Sequence, residues 1–342
     1  MGFEGNLGEL THGPLTALSS PGSSMKGIGL TAEGQEGNEI VYDILLDQAW
    51  SSSPLNITAY VDGWVARRYN VKPLPKAAHD AWRVLSTSVY SNTDVNSQAT
   101  IKSIYELAPA LTGLTNRTGH HPTRIPYDTN TTIVPALKSL LKAAEQEPLL
   151  KTNPEFVYDV VDVTRQLLSN RFIDYYDLLV ATYNSSASAL AVTAAGETLL
   201  DLLTDLDAVL ATNDNFLLSN WIRDARSWAH GKNKTSYGDY LEYNARNQIT
   251  LWGPDGEIND YASKAWAGLV GTYYKTRWTA FVQYLAETKR MGGVYNATAV
   301  STEMIAFGRE WSNGTWGIAH GETWGTKGNT WHVVEKALAK WA

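Results

Sequence analysis

The feature of this 342-residue sequence that most constrains its fold is a helical spacing of apolar residues, which continues from residue 38 almost to the C-terminus. In the first such stretch Ile40, Val41, Ile44 and Leu45 recur at three-and-four spacing, which places them on one face of an α-helix. Asn38 precedes them and is a residue type that commonly caps helix N-termini. Alternating strand patterns are scarce and no internal repeat is evident, so the sequence predicts a mainly α-helical protein.

Further helix boundaries can be read from capping residues. Asn153 followed by Pro154 is a cap plus a first-turn proline, and it predicts the start of a long helix. The other long predicted helices cover residues 189–210, 216–229, 237–249 and 261–289. Residues 92–130 are polar and contain several prolines, which is typical of a long loop or an insertion.

Composition excludes several classes of function. The chain has 28 basic and 35 acidic residues, a net charge of -7, so it lacks the basic surface with which proteins bind nucleic acid or anionic membranes. It has no cysteine, which excludes disulfides, thiolate metal sites and cysteine nucleophiles. No run of about 18 apolar residues predicts a membrane span.

Glycosylation acceptors are more numerous than chance predicts. The seven Asn-x-Ser/Thr sites are at Asn56, Asn116, Asn130, Asn184, Asn233, Asn296 and Asn313. This number indicates passage through the secretory pathway, with the extracellular space or a lysosome-like or vacuole-like compartment as the destination. The first ten residues, "MGFEGNLGEL", have neither the basic start nor the apolar run of a signal peptide, so the sequence resembles the C-terminal piece of something longer.

Residues 1–30 are glycine-rich and predicted to be irregular, except for a short strand at Met25–Thr31. Glu33 follows this strand and precedes the helix that starts near residue 38, in the stretch "GLTAEGQEGNEI". Parallel α/β barrels place catalytic groups at the C-terminal ends of their strands. Glu33 is therefore a candidate catalytic carboxylate, and the alternative from local sequence alone is a solvated loop acid.

Two other motifs are weak. "GIGLTA" (27–32) fits a loose dinucleotide-binding fingerprint, but that fingerprint requires a βαβ unit, and here helices follow. His120 and His121 have no carboxylate or third histidine at metal-ligand spacing, so they are predicted to be a solvated loop pair.

A second candidate site is the turn "WGPDG" within residues 244–269. Its Pro–Asp–Gly chemistry predicts a tight turn, with Trp252 at one shoulder and Ile258, Asp260 and Tyr261 at the other. An indole beside a turn can stack on the apolar face of a sugar ring. The alternative is that Trp252, one of 13 tryptophans, is a core aromatic.

Taken together, these segments resemble a known family, the α-N-acetylglucosaminidases of glycoside hydrolase family 89, in its C-terminal part. The matching stretches, in the family's order, are "GNLGEL", "GLTAEGQEGNEIVYDILLDQAW", "WVARRYNV", "AWRVLSTSVY", "VYDVVDVTRQLLSN" and "NARNQITLWGPDGEINDYASKAWAGLVGTYYKTRW". The resemblance implies a (β/α)8 barrel followed by an all-helical domain. Residues 1–53 would be the final strand and helix of the barrel, and residues 54–342 the helical domain.

The resemblance also implies an activity and a site. The family's enzymes are retaining exo-glycosidases that remove terminal α-linked N-acetylglucosamine from glycans without a metal or cofactor. Glu33, in "T-A-E-G", matches the family's nucleophile, and Trp252, Ile258 and Tyr261 match residues that help to close the sugar pocket. Arg246 is expected to support the turn rather than to touch the sugar.

The family's acid/base glutamate lies in barrel strands that this chain does not contain, which leaves two interpretations. In the first, the chain is part of an active enzyme, its partners being the upstream remainder of the barrel and a glycan with terminal α-N-acetylglucosamine. In the second, it is a non-catalytic helical interaction module or pseudoenzyme remnant. Glu36 and Glu39 are expected to act as negative charges near a helix N-terminus rather than as a substitute acid. A homo-oligomer is compatible with either interpretation.

Overall fold

The computed structural model describes residues 2–31, 37–97, 101–119, 121–231, 233–314 and 325–342. Within these ranges the chain forms α-helices and no β-strand, so the mainly helical prediction is confirmed. The first six helices are α1 (Leu7–Ser19), α2 (Glu39–Gln48), α3 (Ile57–Tyr69), α4 (Lys76–Ser88), α5 (Ile133–Gln146) and α6 (Pro154–Asn184). The next six are α7 (Ala189–Leu210), α8 (Leu218–Ser227), α9 (Lys234–Gln248), α10 (Lys275–Arg290), α11 (Ala297–Ser312) and α12 (Thr330–Trp341).

Several helix boundaries agree with the sequence prediction. The long helix α6 starts at Pro154, and the Asn153 side chain accepts a hydrogen bond of 2.9 Å from the backbone of Phe156. Helix α7 covers the predicted residues. Asn38 occupies the cap position of α2, but its side chain makes no capping bond and accepts instead from the backbone N–H of Glu4, at 3.2 Å.

Helix α10 begins later than predicted. A single π-helical turn, Val270–Tyr274, precedes it, and residues 261–268, which the prediction included, are not helical. Ala267 instead forms a β-bridge with Leu217, and its N–H donates to the carbonyl of Phe216 at 2.8 Å. The apolar run near residue 265 therefore bonds to another segment of the chain and does not extend the helix.

Two predictions for the first 31 residues were wrong. Residues 7–19 form helix α1 even though Pro14 lies inside it, and the Asn6 side chain caps it by accepting from the Glu9 N–H at 2.9 Å. Met25–Thr31 forms no strand. A barrel strand is held by hydrogen bonds to two neighbours, and no described segment pairs with these residues.

Helix α6, 31 residues long, is the central element of the fold. Its first half and helices α1 to α5 enclose one apolar core, which includes Ile44, Trp82 and Leu137. Its second half packs with α7, α10 and α11 around another, which includes Trp278 and Trp311. Because residues of α6 belong to both cores, this helix connects them. Helix α12 packs on both α6 and α7.

The N-terminal residues belong to the first of these cores. Phe3, Leu7 and Ile40 are buried in the same cluster as Val61 and Leu85, on the other side of the predicted domain boundary at residue 53. Burial of shared apolar surface stabilises both parts together. The division into a barrel remnant at residues 1–53 and a helical domain at residues 54–342 remains a prediction.

The loop predicted for residues 92–130 is irregular, but its middle part is buried. Residues 101–107 include a 3-10 turn at Ile104–Glu106, and they lie beneath helix α10. Trp278 donates its indole N–H to the carbonyl of Tyr105 at 3.0 Å. This segment is therefore part of the core, although the sequence around it is polar.

None of the helices in the described ranges combines the length and the apolar content needed to cross a membrane.

Candidate functional site

The predicted nucleophile Glu33 and its neighbour Glu36 lie outside the described residues, so their predicted roles remain predictions. The chain becomes described again at Gly37, which has a φ of +74°. A Cβ at this position would lie 3.0 Å from a carboxylate oxygen of Asp162 on α6. Glycine is therefore required there both for its backbone conformation and for its close approach to α6.

A group of charged side chains lies where α2 begins against α6. Arg68 donates from Nε and Nη2 to the two oxygens of Asp159 at 2.8 and 2.7 Å, and Tyr69 donates its hydroxyl to the same carboxylate at 2.7 Å. Asp162 pairs with Arg165 at 2.6 Å. Glu39, in the first turn of α2, lies 3.9 Å from Arg68.

The electrostatics of this group are dominated by burial. Burial, together with the nearby carboxylates of Asp162 and Asp159, raises the pKa of Glu39, and Arg68 only partly opposes this. Burial also raises the pKa of Asp159 against the lowering effect of Arg68. Glu39 is thus a first-turn carboxylate, as expected, in surroundings that disfavour its charge.

The second predicted site is formed by the turn after α9, residues 250–261, which we call the Trp252 turn. Trp252 is 36% exposed and has a left-handed backbone, with a φ of +46°. Its indole lies edge-on to the ring of Tyr261, with centroids 5.6 Å apart. Ile258 is 40% exposed, and its carbonyl accepts the N–H of Tyr261 at 3.0 Å. The three residues predicted to line a sugar pocket therefore lie on one turn.

This turn is held at both shoulders. At the first, Arg309 of α11 donates from Nε to the carbonyl of Pro254 at 2.8 Å and from Nη2 to the carboxylate of Asp255. At the second, the N–H of Asp260 donates to the carbonyl of Thr250 at 2.8 Å. The turn that carries the exposed aromatic surface is therefore bonded both to α11 and across its own base.

Lys102 provides a further support that sequence reasoning missed. Its side chain is buried, and Nζ donates to the carbonyl of Tyr261 at 2.7 Å and to the hydroxyl of Ser263 at 2.9 Å. Burial lowers the pKa of Lys102, although Glu106 and Asp260 oppose this. The only sequence signal for this buried lysine is its position between Ile101 and Ile104 in an otherwise polar loop. The same segment also contacts the N-terminus, since the carbonyl of Ile101 accepts the N–H of Gly2 at 3.2 Å.

Two smaller predictions can be compared with the structure. Arg246 is fully buried, bonds to Glu242 at 2.6 and 2.9 Å, and lies 4.8 Å from the ring centroid of Trp311, so it supports the helices beneath the turn.

The prediction of a solvated histidine pair was wrong for His121, which is buried with its ring 5.6 Å from that of Tyr261. Its partner in that prediction, His120, lies outside the described residues. The described residues contain no group of three or more His, Asp or Glu side chains that could bind a metal.

Chemically, the Trp252 turn offers an aromatic edge, an aliphatic side chain and a phenol ring. The surface is held by an exposed ion pair, Arg309 with Asp255, and by a buried one, Arg277 with Asp260. The turn thus also carries carboxylates, of which those of Asp255 and Asp260 form these ion pairs. Such a surface can stack on the apolar face of a sugar.

Comparison with known proteins agrees with this arrangement. The model of the α-N-acetylglucosaminidase (NAGLU) C-terminal domain matches residues 60–340, and that of the NAGLU tim-barrel domain matches residues 1–52. Human α-N-acetylglucosaminidase is 35% identical over 292 residues, which cover 85% of this chain and 37% of the human protein.

Solved structures show the same fold. A family 89 glycoside hydrolase from Clostridium perfringens in complex with PUGNAc has a TM-score of 0.86 at 24% identity. A doubly Glu-to-Gln-substituted form of the enzyme from that organism, in complex with its substrate GlcNAc-α-1,4-galactose, has a TM-score of 0.84 at 24% identity. Both comparisons cover 100% of this chain and 38% of the other.

The chain thus spans under two-fifths of the length of these relatives. The family models together cover nearly all of its residues, and the helical part alone accounts for well over half. The chain belongs to the α-N-acetylglucosaminidase family.

Proposed function

We propose that this chain is the C-terminal part of a retaining exo-glycosidase that removes terminal α-linked N-acetylglucosamine from glycans. Glu33 is the nucleophile, and Trp252, Ile258 and Tyr261 form one wall of the sugar pocket. The observation that carries the proposal is the match of both family models in the correct order, with a partly exposed Trp252 in the helical part.

The proposed reaction has two steps. Glu33 attacks the anomeric carbon and displaces the leaving-group oxygen, which forms a β-linked glycosyl-enzyme. Water then displaces the carboxylate, so the α configuration is retained. A second carboxyl group about 5–5.5 Å from the nucleophile donates a proton to the leaving oxygen in the first step and accepts one from the attacking water in the second, and we assign it to the remainder of the barrel upstream. The substituted Clostridium perfringens enzyme, in which two glutamates are replaced, is consistent with a pair of carboxyl groups in that protein.

Glu33→Gln in the full-length protein tests the nucleophile. The change removes the attacking charge at nearly constant shape, so turnover of an aryl α-N-acetylglucosaminide should fall by several orders of magnitude while the melting temperature stays the same. Glu145→Gln, which alters an exposed glutamate on α5, is the matched control and should keep full turnover. More than a tenth of wild-type turnover in the Glu33 variant would exclude the assignment.

Trp252→Ala tests the pocket wall. Because the indole is partly exposed, truncation should leave the melting temperature within a few degrees and lower kcat/KM, by about 1–3 kcal/mol of transition-state binding. A large loss of stability with unchanged kinetics would show that Trp252 is a packing residue only.

We also propose that the protein is glycosylated in the secretory pathway. All seven sequon asparagines are exposed, although other asparagines such as Asn38 and Asn170 are buried. Exposure is what the attachment of a bulky glycan requires. Enzymatic removal of N-glycans should lower the mass of the native protein, and an unchanged mass would reject this part of the proposal.

A further inference from the structure

The backbone of Trp252 is strained, and the strain is not offset by burial of its side chain. A left-handed conformation costs a residue other than glycine about 1–2 kcal/mol. The φ of Trp252 is +46°, and the indole is 36% exposed. Such strain persists only where surrounding contacts enforce it, and it is concentrated at functional positions.

The contacts that enforce it come mostly from one residue, Asn247, in the last turn of α9. Its carbonyl accepts the N–H of Trp252 at 2.7 Å. Its side-chain oxygen accepts the N–H of Gly253 at 2.8 Å, and its amide nitrogen donates to the carbonyl of Gly253 at 3.1 Å. The carboxamide therefore pairs with both polar backbone groups of the residue that follows the tryptophan.

Gly253 explains why this pairing matters. Its φ of +134° is a conformation that L side chains rarely adopt, and a glycine at this position could otherwise rotate freely. Changes in the backbone torsions around Gly253 would displace Trp252 relative to α9 and so change the direction of the indole. The Asn247 side chain bonds to that glycine on both sides and so limits these changes.

The other hydrogen bonds and ion pairs of the turn hold residues other than Gly253, and the indole itself also contacts the ring of Tyr261. Arg309 binds Pro254 and Asp255, and the buried pair of Asp260 and Arg277 holds the far shoulder. Removal of the Asn247 side chain should therefore leave the turn in place and release only the orientation of the indole.

We infer that Asn247 is a positioning residue that sets the orientation of the Trp252 indole at the sugar pocket. The inference rests on the proposed function for its kinetic consequences, but not for the conformational ones. Its effect should appear mainly in KM, because a pocket wall contributes to binding in the ground state and the transition state alike.

The kinetic test uses the full-length enzyme and an aryl α-N-acetylglucosaminide. Asn247→Ala should raise KM about tenfold with little change in kcat. Asn247→Asp keeps an acceptor for the Gly253 N–H but turns a carboxylate oxygen towards the Gly253 carbonyl, which repels it, so this variant should also raise KM. Gln248→Ala removes an exposed carboxamide one position along α9 and is the matched control, with wild-type KM expected.

A double-mutant cycle separates positioning from general support of the fold. If Asn247 acts through the indole, Asn247→Ala should have little further effect in a Trp252→Ala background, since the group that it orients is already gone. Equal effects of Asn247→Ala with and without the indole would overturn the inference, and so would a wild-type KM in the single variant. If the alanine variant is too unstable to assay, the aspartate variant and its double mutant decide in the same way.

A readout without activity distinguishes failure of this inference from failure of the proposed function. In protein labelled with 5-fluorotryptophan, the Trp252 resonance is assigned by its loss in Trp252→Phe. It should shift or broaden in Asn247→Ala and stay unchanged in Gln248→Ala. If the wild-type enzyme hydrolyses no α-N-acetylglucosaminide, the proposed function fails, and this resonance alone decides the positioning role. An unchanged Trp252 resonance in Asn247→Ala would reject that role.

Discussion

Arg277 and Asp260 form a nearly fully buried ion pair, in which Nη1 of the arginine lies 2.9 and 3.0 Å from the two carboxylate oxygens. Arg277 also donates from Nη2 to the carbonyl of Glu106 at 2.8 Å. Asp260 belongs to the same turn as the exposed Trp252, and its backbone is left-handed with a φ of +61°. The pair therefore joins the turn, helix α10 and the buried segment 101–107.

Arg277→Met should destabilise the protein strongly. Burial already raises the pKa of Asp260 in spite of the arginine, so removal of the arginine leaves an uncompensated carboxylate in the core. Breaking a buried pair in this way typically costs about 3–5 kcal/mol. Urea unfolding followed by circular dichroism measures the change.

Arg290→Met is the matched control for this prediction. It lies on the same helix and pairs with Glu287, but both side chains are more than half exposed. Its replacement should produce no measurable change, because water and salt screen such pairs. If the two arginine variants were equally stable, the buried pair would not be a major support of the turn.

Gly196→Ala and Gly63→Ala should have opposite effects on stability. A Cβ at Gly196 on α7 would lie 2.2 Å from a methyl group of Val282 on α10, so the two helices would have to separate. Such overpacking costs about 1–3 kcal/mol, more than the gain of about 1 kcal/mol in helix propensity. At Gly63 on α3 the nearest atom is the flexible end of Arg67, at 3.2 Å, and alanine should stabilise the helix. Thermal unfolding of both variants checks the sign, and a stabilised Gly196 variant would contradict this packing.

Local signals in the sequence predict the long helices well. The Asn153–Pro154 start of α6 needs only the cap and the apolar residues that follow it. Helix α1 was missed because Gly8, Gly13 and Pro14 are residues that usually interrupt helices. It forms because Leu7 and other residues on one face are buried against α2, and such tertiary packing overrides local propensity.

The candidate site, like the helices, could be predicted from local sequence only in part. A tight turn with Trp252 at its shoulder follows from the Pro–Asp–Gly sequence, and the structure bears that out. The supports of the turn do not follow from local sequence, because Lys102 lies 159 residues from its acceptor Tyr261. Whether one of 13 tryptophans is exposed depends on such distant contacts.

Glu39→Gln should change the dependence of stability on pH. The pKa of Glu39 in the folded protein is raised above its usual 4.5, so between that value and the raised one the folded state binds more protons than the unfolded state. The free energy of unfolding therefore falls as the pH rises through this window. The glutamine variant lacks this slope, because it cannot ionise.

Relative to the variant, the wild-type protein should thus be most stable below pH 4.5 and lose that advantage as the pH rises through the folded-state pKa of Glu39. Denaturant unfolding at a series of pH values measures the difference, with Glu145→Gln on α5 as the control for loss of an exposed carboxylate. A difference between wild type and Glu39→Gln that stays constant across these pH values would contradict the raised pKa.

The 342-residue chain expressed alone should fold but should not hydrolyse α-N-acetylglucosaminides. Both apolar cores lie within its described residues, so cooperative unfolding and a helical circular dichroism spectrum are expected. The barrel model matches only residues 1–52, and a (β/α)8 barrel forms its pocket only when all eight strands close. Without a proton donor the leaving oxygen departs as an alkoxide, and about 10²–10⁴-fold of general acid catalysis is lost. The full-length enzyme assayed in parallel is the positive control. Retaining activity in the isolated chain that disappears in Glu33→Gln would mean that an acid within these residues serves the reaction.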